Sequence, residues 1–454
     1  MPHLSMAFIE NNEKSIIKKR LKKMNLSEKK PRELYKERYE RIMTTISIEE
    51  PDRVPIVPGV MFYPTEQYGM TKREAMYDLA KTAKAYSEVL TSLNIDALPP
   101  LLSIWPGELM DILGARVFKW PGAADENYRL EDHLPFQFVE GEYLKAEEYG
   151  ELFEDPTGTI LKKVIPRQFG ALQGFSEFPE FSNLASGLGV MFSLPVFNAM
   201  PGTKRINDVL NAASEYFMKY ISITNNYVNS IKKLGFPLFN SGIALAPFDV
   251  ISDLLRGMRG SMLDMYRHPE ELKKLTNMFI EGQIKAGLQL AQMTPKVKVI
   301  FMPLHRGADG FMSNEQFEEF YWPGLTSVME GLIKHNFIPG LFLEGGYNER
   351  LEYLADFAKN HKGKVLYWFD RTDLSKAKEL FGDHACIKGN IPGSLLNAGT
   401  PQQVEDYVRE SIEKCAEGGG YIIDGGVSGI PDEAKPENVK AMTDAVFKYG
   451  WYRK

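Results

Sequence analysis

The chain of 454 residues has only two cysteines, Cys386 and Cys415. That count excludes a disulfide framework and a cysteine-rich metal site, and it makes a reducing cytoplasm the expected setting. An excess of charge of one sign is also lacking: 54 Lys and Arg stand against 60 Asp and Glu, a net charge of −6. No global basic field therefore recommends a nucleic acid partner. No apolar run approaches the length of a membrane span. The N-terminus is basic from Lys14 to Lys30 but carries Glu10 and Glu13 and no apolar signal core. This argues against a targeting peptide and for an amphipathic helical extension over residues 1–35. A G-x-G-x-x-G after an early strand, a Walker loop and a G-x-S-x-G elbow are all missing, and with them the best markers of dinucleotide, nucleotide and serine-hydrolase chemistry.

What the chain does have is a rhythm. In KVKVIFMPLHRGADG, from Lys296 to Gly310, a buried-strand pattern runs into His305, Arg306 and Asp309, and a helical stretch over Asn314–His335, bent at Pro323, follows. The pattern recurs downstream. Phe337–Leu343 ends in Glu344-Gly345-Gly346, Val365–Phe369 in Asp370-Arg371-Thr372-Asp373, Ala385–Lys388 in Gly389-Asn390, and Gly420–Ile423 in Asp424-Gly425-Gly426, each before a helical stretch. Strands that end in polar groups and alternate with helices predict a parallel closed sheet, with its loops sharing one mouth.

Upstream, Val54–Pro58, Ile95–Leu98 and Phe236–Asn240 read as strands. Lys72–Leu93, capped by Thr71 and Glu74, Lys204–Leu234 and Pro269–Met293 read as helices. From Trp120 to Pro166 the rhythm breaks, an excursion of a size that serves as a lid, an oligomer contact or a decoration. Glu140 and Glu142 within it read as surface carboxylates. The expectation is an α/β fold: a TIM (β/α)8 barrel over residues 36–454, with an N-terminal helical extension and this inserted excursion.

The strand-end set is His305, Arg306, Asp309, Glu344, Asp370, Asp373, Asn390 and Asp424. A histidine among carboxylates from neighbouring strands serves as a general acid or base, or holds zinc through nitrogen and oxygen, with His305 and Glu344 as the metal candidates. Spacing leaves both open. Phe62, Tyr63 and Trp105 sit on exit loops where they would wall a ligand. His335, His361 and His384 fall at helix ends or in Lys-rich turns and read as surface residues.

Several segments carry a resemblance. Lys36-Glu37-Arg38-Tyr39-Glu40-Arg41-Ile42 followed by Pro51-Asp52-Arg53-Val54-Pro55, then IKGNIPGSLLNAGTPQQVEDYV from Ile387, and GGGYIIDGG followed by IPDEAKPENVKAM up to Met442, resemble the uroporphyrinogen decarboxylase superfamily. The resemblance implies a TIM-type barrel and two candidate activities: decarboxylation of uroporphyrinogen, or cobalamin-dependent methyl transfer. Where the decarboxylases carry an R-Q-A-G-R-Y segment, this chain reads PGVMFYPTEQYG without arginine. PPLLSIWPG lacks the aspartate of their S-D-I-L, and their late histidine is missing near Val427 and Ser428. The methyltransferase branch is closer, although Gly307 stands where its zinc-binding His-x-Cys pair has Cys, and GVSGIP from Gly426 lacks the second Cys.

The resemblance thus implies a methyltransferase moving a methyl group from a small methylated donor, for example an O-methyl ether, to a corrinoid carried on a partner protein. A homodimer is compatible with it. In that reading His305 and Glu344 act on the leaving oxygen, with or without zinc, Arg306 binds substrate, and Asp370, Asn390 and Asp424 position it. The alternatives are a decarboxylase of uroporphyrinogen or another acid, and a catalytically silent binding subunit.

Overall fold

A computed structural model describes residues 29–179, 188–292, 297–426 and 429–452. The extension expected over residues 1–35 lies mostly outside the described residues, as do Val427 and Ser428.

Among the described residues the strands form two sheets. β1 (Phe118–Pro121), β2 (Arg129–Leu130) and β3 (Gln137–Phe138) make a small sheet in the excursion. The larger sheet contains β4 (Asn240–Ile243), β5 (Val299–Leu304), β6 (Ile338–Leu343), β7 (Leu366–Phe369), β8 (Cys386–Lys388) and β9 (Tyr421–Ile422), all parallel and in chain order.

Two short extended segments close the ring. The Val57 N–H donates to the Ile423 carbonyl and the Ile423 N–H to Pro55, beside β9. The Asp96 N–H donates to Ile56, and Leu98 pairs in parallel with Leu238 on the way into β4. Six strands and these two segments are the eight staves of a TIM (β/α)8 barrel.

β4 starts where the predicted strand Phe236–Asn240 ends. Pro237 has no N–H for a ladder, and the register shifts between Asn240 and Gly242 before regular pairing with β5 begins.

The helices lie near their predicted places, with local exceptions. Thr71 and Glu74 form the expected capping box, but the helix stops at Tyr77; Asp78 then caps a new one, Leu79–Thr91, by accepting from the Lys81 N–H. The predicted bend near Pro323 is a π-turn over Phe317–Tyr321 feeding the helix Trp322–Lys334. A helix over Leu188–Ala199 carries Pro195 inside it and was not legible from its mixed composition.

α1 (Pro31–Ile46) spans the proposed boundary at residue 35 and locks the starts of the first two staves. Its Arg41 reaches Asp96 at 2.6 Å, and Arg53 grips the same carboxylate at 2.8 Å.

The barrel interior is packed. All six residues of β6 are buried, and Phe301 stacks on Phe342 while Trp368 tilts against both. Lys388 is a cation in this interior: its Nζ lies 3.1 Å from the Trp368 ring centroid and pairs with Asp424. Burial works against both charges, pushing Lys388 down to about 8 and Asp424 up to about 6, while each charge supports the other. Asp424 also accepts from the N–H groups of Gly59 and Gly425, tying the last strand to the first. Among the described residues, no helix is long and apolar enough to cross a membrane.

Candidate active site

β5 runs Val299 to Leu304 and delivers His305 and Arg306 at its C-terminal end. The helix that follows β4, α2 (Pro247–Leu254), is buried from Pro247 to Asp253. Pro at its first turn and Asp249 beside it suit a helix N-terminus, where the pyrrolidine costs no hydrogen bond and a carboxylate meets the positive end of the dipole. The four-residue spacing of Asp249 and Asp253 puts both carboxylates on one face, towards the end of β5.

Asp249 receives the backbone of that strand end: its two oxygens accept the N–H groups of His305 and Arg306, each at 3.0 Å. The Tyr321 hydroxyl donates to the same carboxylate at 2.8 Å, from the π-turn. Burial pushes Asp249 up to about 6, against the pull of the His305 charge.

Asp253 takes the side chains. Its Oδ2 lies 2.5 Å from His305 Nδ1, and its Oδ1 accepts from Arg306 at 3.0 Å. Burial disfavours the imidazolium, but the bond to Asp253 and the charges of Asp249, Asp253 and Glu344 outweigh it and raise His305 to about 9. His305 is therefore a cation near neutral pH. Its side chain remains 34% exposed, and Nε2 faces Glu344 Oε2 at 3.9 Å, on a side chain that is half exposed. His305 and Glu344 thus stand within ion-pair distance of one another at neighbouring strand ends.

Arg306 spans the site. Its guanidinium bonds Ser252 Oγ at 2.8 Å and Glu140 at 2.6 Å, so the excursion reaches back over the strand end. Glu140, read from the sequence as a surface carboxylate, is a site neighbour; Glu142 pairs with Arg256. Asp309 is tied into the next loop, accepting from the Glu349 N–H. The buried Arg350 donates to the Gly307 and Met312 carbonyls and holds the intervening loop.

The other predicted residues do not converge on His305. Asp424 is fully buried against Lys388, inside the barrel rather than at its mouth, because a cation within the staves needs a counter-charge. Asp370 accepts the Gly345 N–H at 2.9 Å and so touches the Glu344 loop only through backbone. Asn390 donates to the Thr372 carbonyl. Asp373 caps the helix Leu374–Phe381. Phe62 and Tyr63 are buried in the core and present no wall to a solvent-filled mouth, since their segment is folded under Asp432 and Lys72. Trp105 is 44% exposed and leans on Phe118 of β1. His335, His361 and His384 donate to carbonyls of their own helix ends, as their positions suggested.

The donor set does not fit zinc. His305 and Glu344 offer two ligands, His305 Nδ1 is already engaged by Asp253, and no group of three or more His, Cys, Asp or Glu suited to a metal exists among the described residues. Catalytic zinc draws on three protein ligands. A thiolate at position 307 has no room either: a Cβ there would stand 2.8 Å from the Tyr321 ring.

A family model described as uroporphyrinogen decarboxylase (URO-D) matches residues 184–449, more than half of the chain. The chain belongs to the uroporphyrinogen decarboxylase family. Uroporphyrinogen decarboxylase of Chromohalobacter salexigens is 24% identical over 280 residues, spanning 60% of this chain and 71% of that one. The Pseudoalteromonas atlantica protein of the same name is 29% identical over 143 residues, 31% of this chain and 39% of its own. A solved methyltransferase from Methanosarcina mazei matches 90% of this chain and 98% of its own with a TM-score of 0.57, at 17% identity. That likeness is one of fold. Membership of the family accounts for the barrel; the pairing of His305 with Asp253 is read from the geometry of this chain.

Proposed function

We propose that this family member is the substrate-side methyltransferase of a corrinoid system, taking a methyl group from a small O-methylated donor to a corrinoid held by a partner protein. One observation carries the reading: His305 Nδ1 is held by Asp253, whose charge favours the imidazolium, while its Nε2 stands beside the half-exposed Glu344. Cleaving a methyl–oxygen bond leaves an oxyanion, and a positioned acid that neutralises it lowers the barrier. His305 gives its Nε2 proton to the leaving oxygen; Asp253 keeps the ring oriented and its charge supported. Glu344 orients the Nε2–H and holds the charge balance of the mouth. When bound, the reduced corrinoid supplies the nucleophile that accepts the methyl group. Arg306, fixed by Asp253, Ser252 and Glu140, shapes the donor side. The absence of arginine in PGVMFYPTEQYG supports this reading over the decarboxylase, and the barrel shared with the Methanosarcina mazei methyltransferase is compatible with it.

The test is incubation of the protein with a panel of O-methylated donors and cob(I)alamin, followed by its absorbance. Methylcobalamin formation that disappears in His305→Gln supports the reading; none across a broad panel ends it. The names of the matched relatives favour a second reading, decarboxylation of an acid, in which the same imidazolium protonates the carbon that loses carbon dioxide. Release of carbon dioxide from uroporphyrinogen distinguishes it.

A further inference from the structure

The proposed site opens onto a rim whose exposed side chains the chemistry does not use. α3 (Gly257–Arg267) follows α2 and starts at the mouth, where Met258 Sδ accepts from Arg306 Nη1 at 3.7 Å. Met258, Met262 and Tyr266 recur at four-residue spacing and are 37%, 38% and 76% exposed, so one face of this helix carries an uncovered apolar stripe. It leads away from Arg306 over about 12 Å of helix.

The other side of Arg306 is apolar too. Glu140 of the excursion bonds the same guanidinium, and Phe138, two residues earlier on the extended run that continues to Val139, is 38% exposed. Phe138 packs edge-on against Phe118, which also meets the exposed Trp105. A single exposed apolar residue needs no explanation, but several of them together at the edge of a reaction site mark an interaction surface.

The charge of this rim has a sign. Arg259 and Arg267 stand exposed on α3, while the one acid of that helix, Asp264, is buried against Arg256. Neighbouring carboxylates are already engaged: Glu142 by Arg256, Glu140 by Arg306 and Glu270 by Lys273.

We propose that this rim is the docking surface for the protein that carries the corrinoid, a partner presenting an apolar patch bordered by carboxylates. The inference rests on the methyl-transfer reading: a corrinoid held by another protein reaches a methyl group beside His305 only when that protein seats at the mouth. The stripe on α3 and Phe138 then keep water out of the contact, and Arg259 and Arg267 steer and orient the partner.

The test compares two acceptors for one methyl donor: free cob(I)alamin, which needs no docking, and the reduced corrinoid protein purified from the source cells, each followed by its corrinoid absorbance. Met262→Glu and Tyr266→Glu, both at exposed positions, should leave the rate with free cob(I)alamin unchanged, which also shows that the variants fold. With the corrinoid protein at limiting concentration they should lower the rate about tenfold or more, the scale of losing one interface anchor. Arg259→Glu combined with Arg267→Glu should do the same and remove most of the salt dependence of that rate. Equal losses with both acceptors, losses with neither, or a wild type that methylates free cob(I)alamin alone overturn the proposal and leave methyl transfer standing. So does a wild-type dimer in sedimentation that Tyr266→Glu dissociates, which would give the stripe to a second copy of this chain. A wild type that methylates neither acceptor ends the methyl-transfer reading and this inference with it.

Discussion

Asp253 Oδ2 lies 2.5 Å from His305 Nδ1, joining the helix after β4 to the end of β5 across 52 residues of sequence. This contact fixes the direction of the imidazole and favours its charged form. The chemistry proposed for the mouth depends on it.

Asp253→Asn should retain the ring's position but remove the charge that favours the imidazolium. The acid form of His305 would then be lost at lower pH, and the alkaline limb of the pH–rate profile should move down by about 1 to 3 units, the effect of one adjacent opposite charge. A merely structural aspartate would lower activity without moving that limb.

His305→Gln should cost about 10² to 10⁴ in turnover, the contribution of a positioned acid, with circular dichroism unchanged. The same variant checks a linkage. The folded-state value of His305, about 9, lies above its ordinary 6.5, so its contribution to stability is complete below about 6.5 and is lost as pH rises through about 9. Urea midpoints of the wild type should therefore fall relative to His305→Gln over that interval. Parallel midpoint curves would refute the assignment.

Gly307→Ala should destabilise the protein by about 1 to 3 kcal/mol through overpacking. Its Cβ would meet the Tyr321 ring at 2.8 Å and displace the hydroxyl that serves Asp249. Tyr321→Phe keeps the ring in the way, so it should not relieve the loss. Thermal melts of the two single variants and the double variant decide this.

Lys388→Met leaves the buried Asp424 without its cation and should cost about 3 to 5 kcal/mol. Adding Asp424→Leu removes the stranded charge and should restore much of that stability, although Gly59 and Gly425 then lose their acceptor. Denaturant unfolding of the three proteins checks it. A double variant no better than Lys388→Met would mean that Asp424 acts chiefly as a backbone anchor.

The residues that misled a linear reading have a common physical cause. Asp424 and Asp370 end strands just as Glu344 does, and strand-end position alone cannot say whether a carboxylate faces the mouth, a buried lysine or the backbone of a neighbouring loop. Asp249 and Asp253 were not singled out from the sequence; their helical spacing in PFDVISD is a local signal, but nothing local ties Asp253 to a histidine fifty-two positions later. Phe62 and Tyr63 follow the first stave and so looked like wall residues; packing under Asp432 and Lys72 put them in the core.

By itself the sequence determined the alternation of strands and helices, the parallel order of the staves and the placing of ionisable groups at strand ends. Those follow from local periodicity, caps and glycine turns, which act over a few residues. Only the tertiary structure decided which acid supports His305, which one pairs inside the barrel and which holds a neighbouring loop. Closing a ring brings distant residues within hydrogen-bond reach, and burial, unlike periodicity, depends on every stave at once.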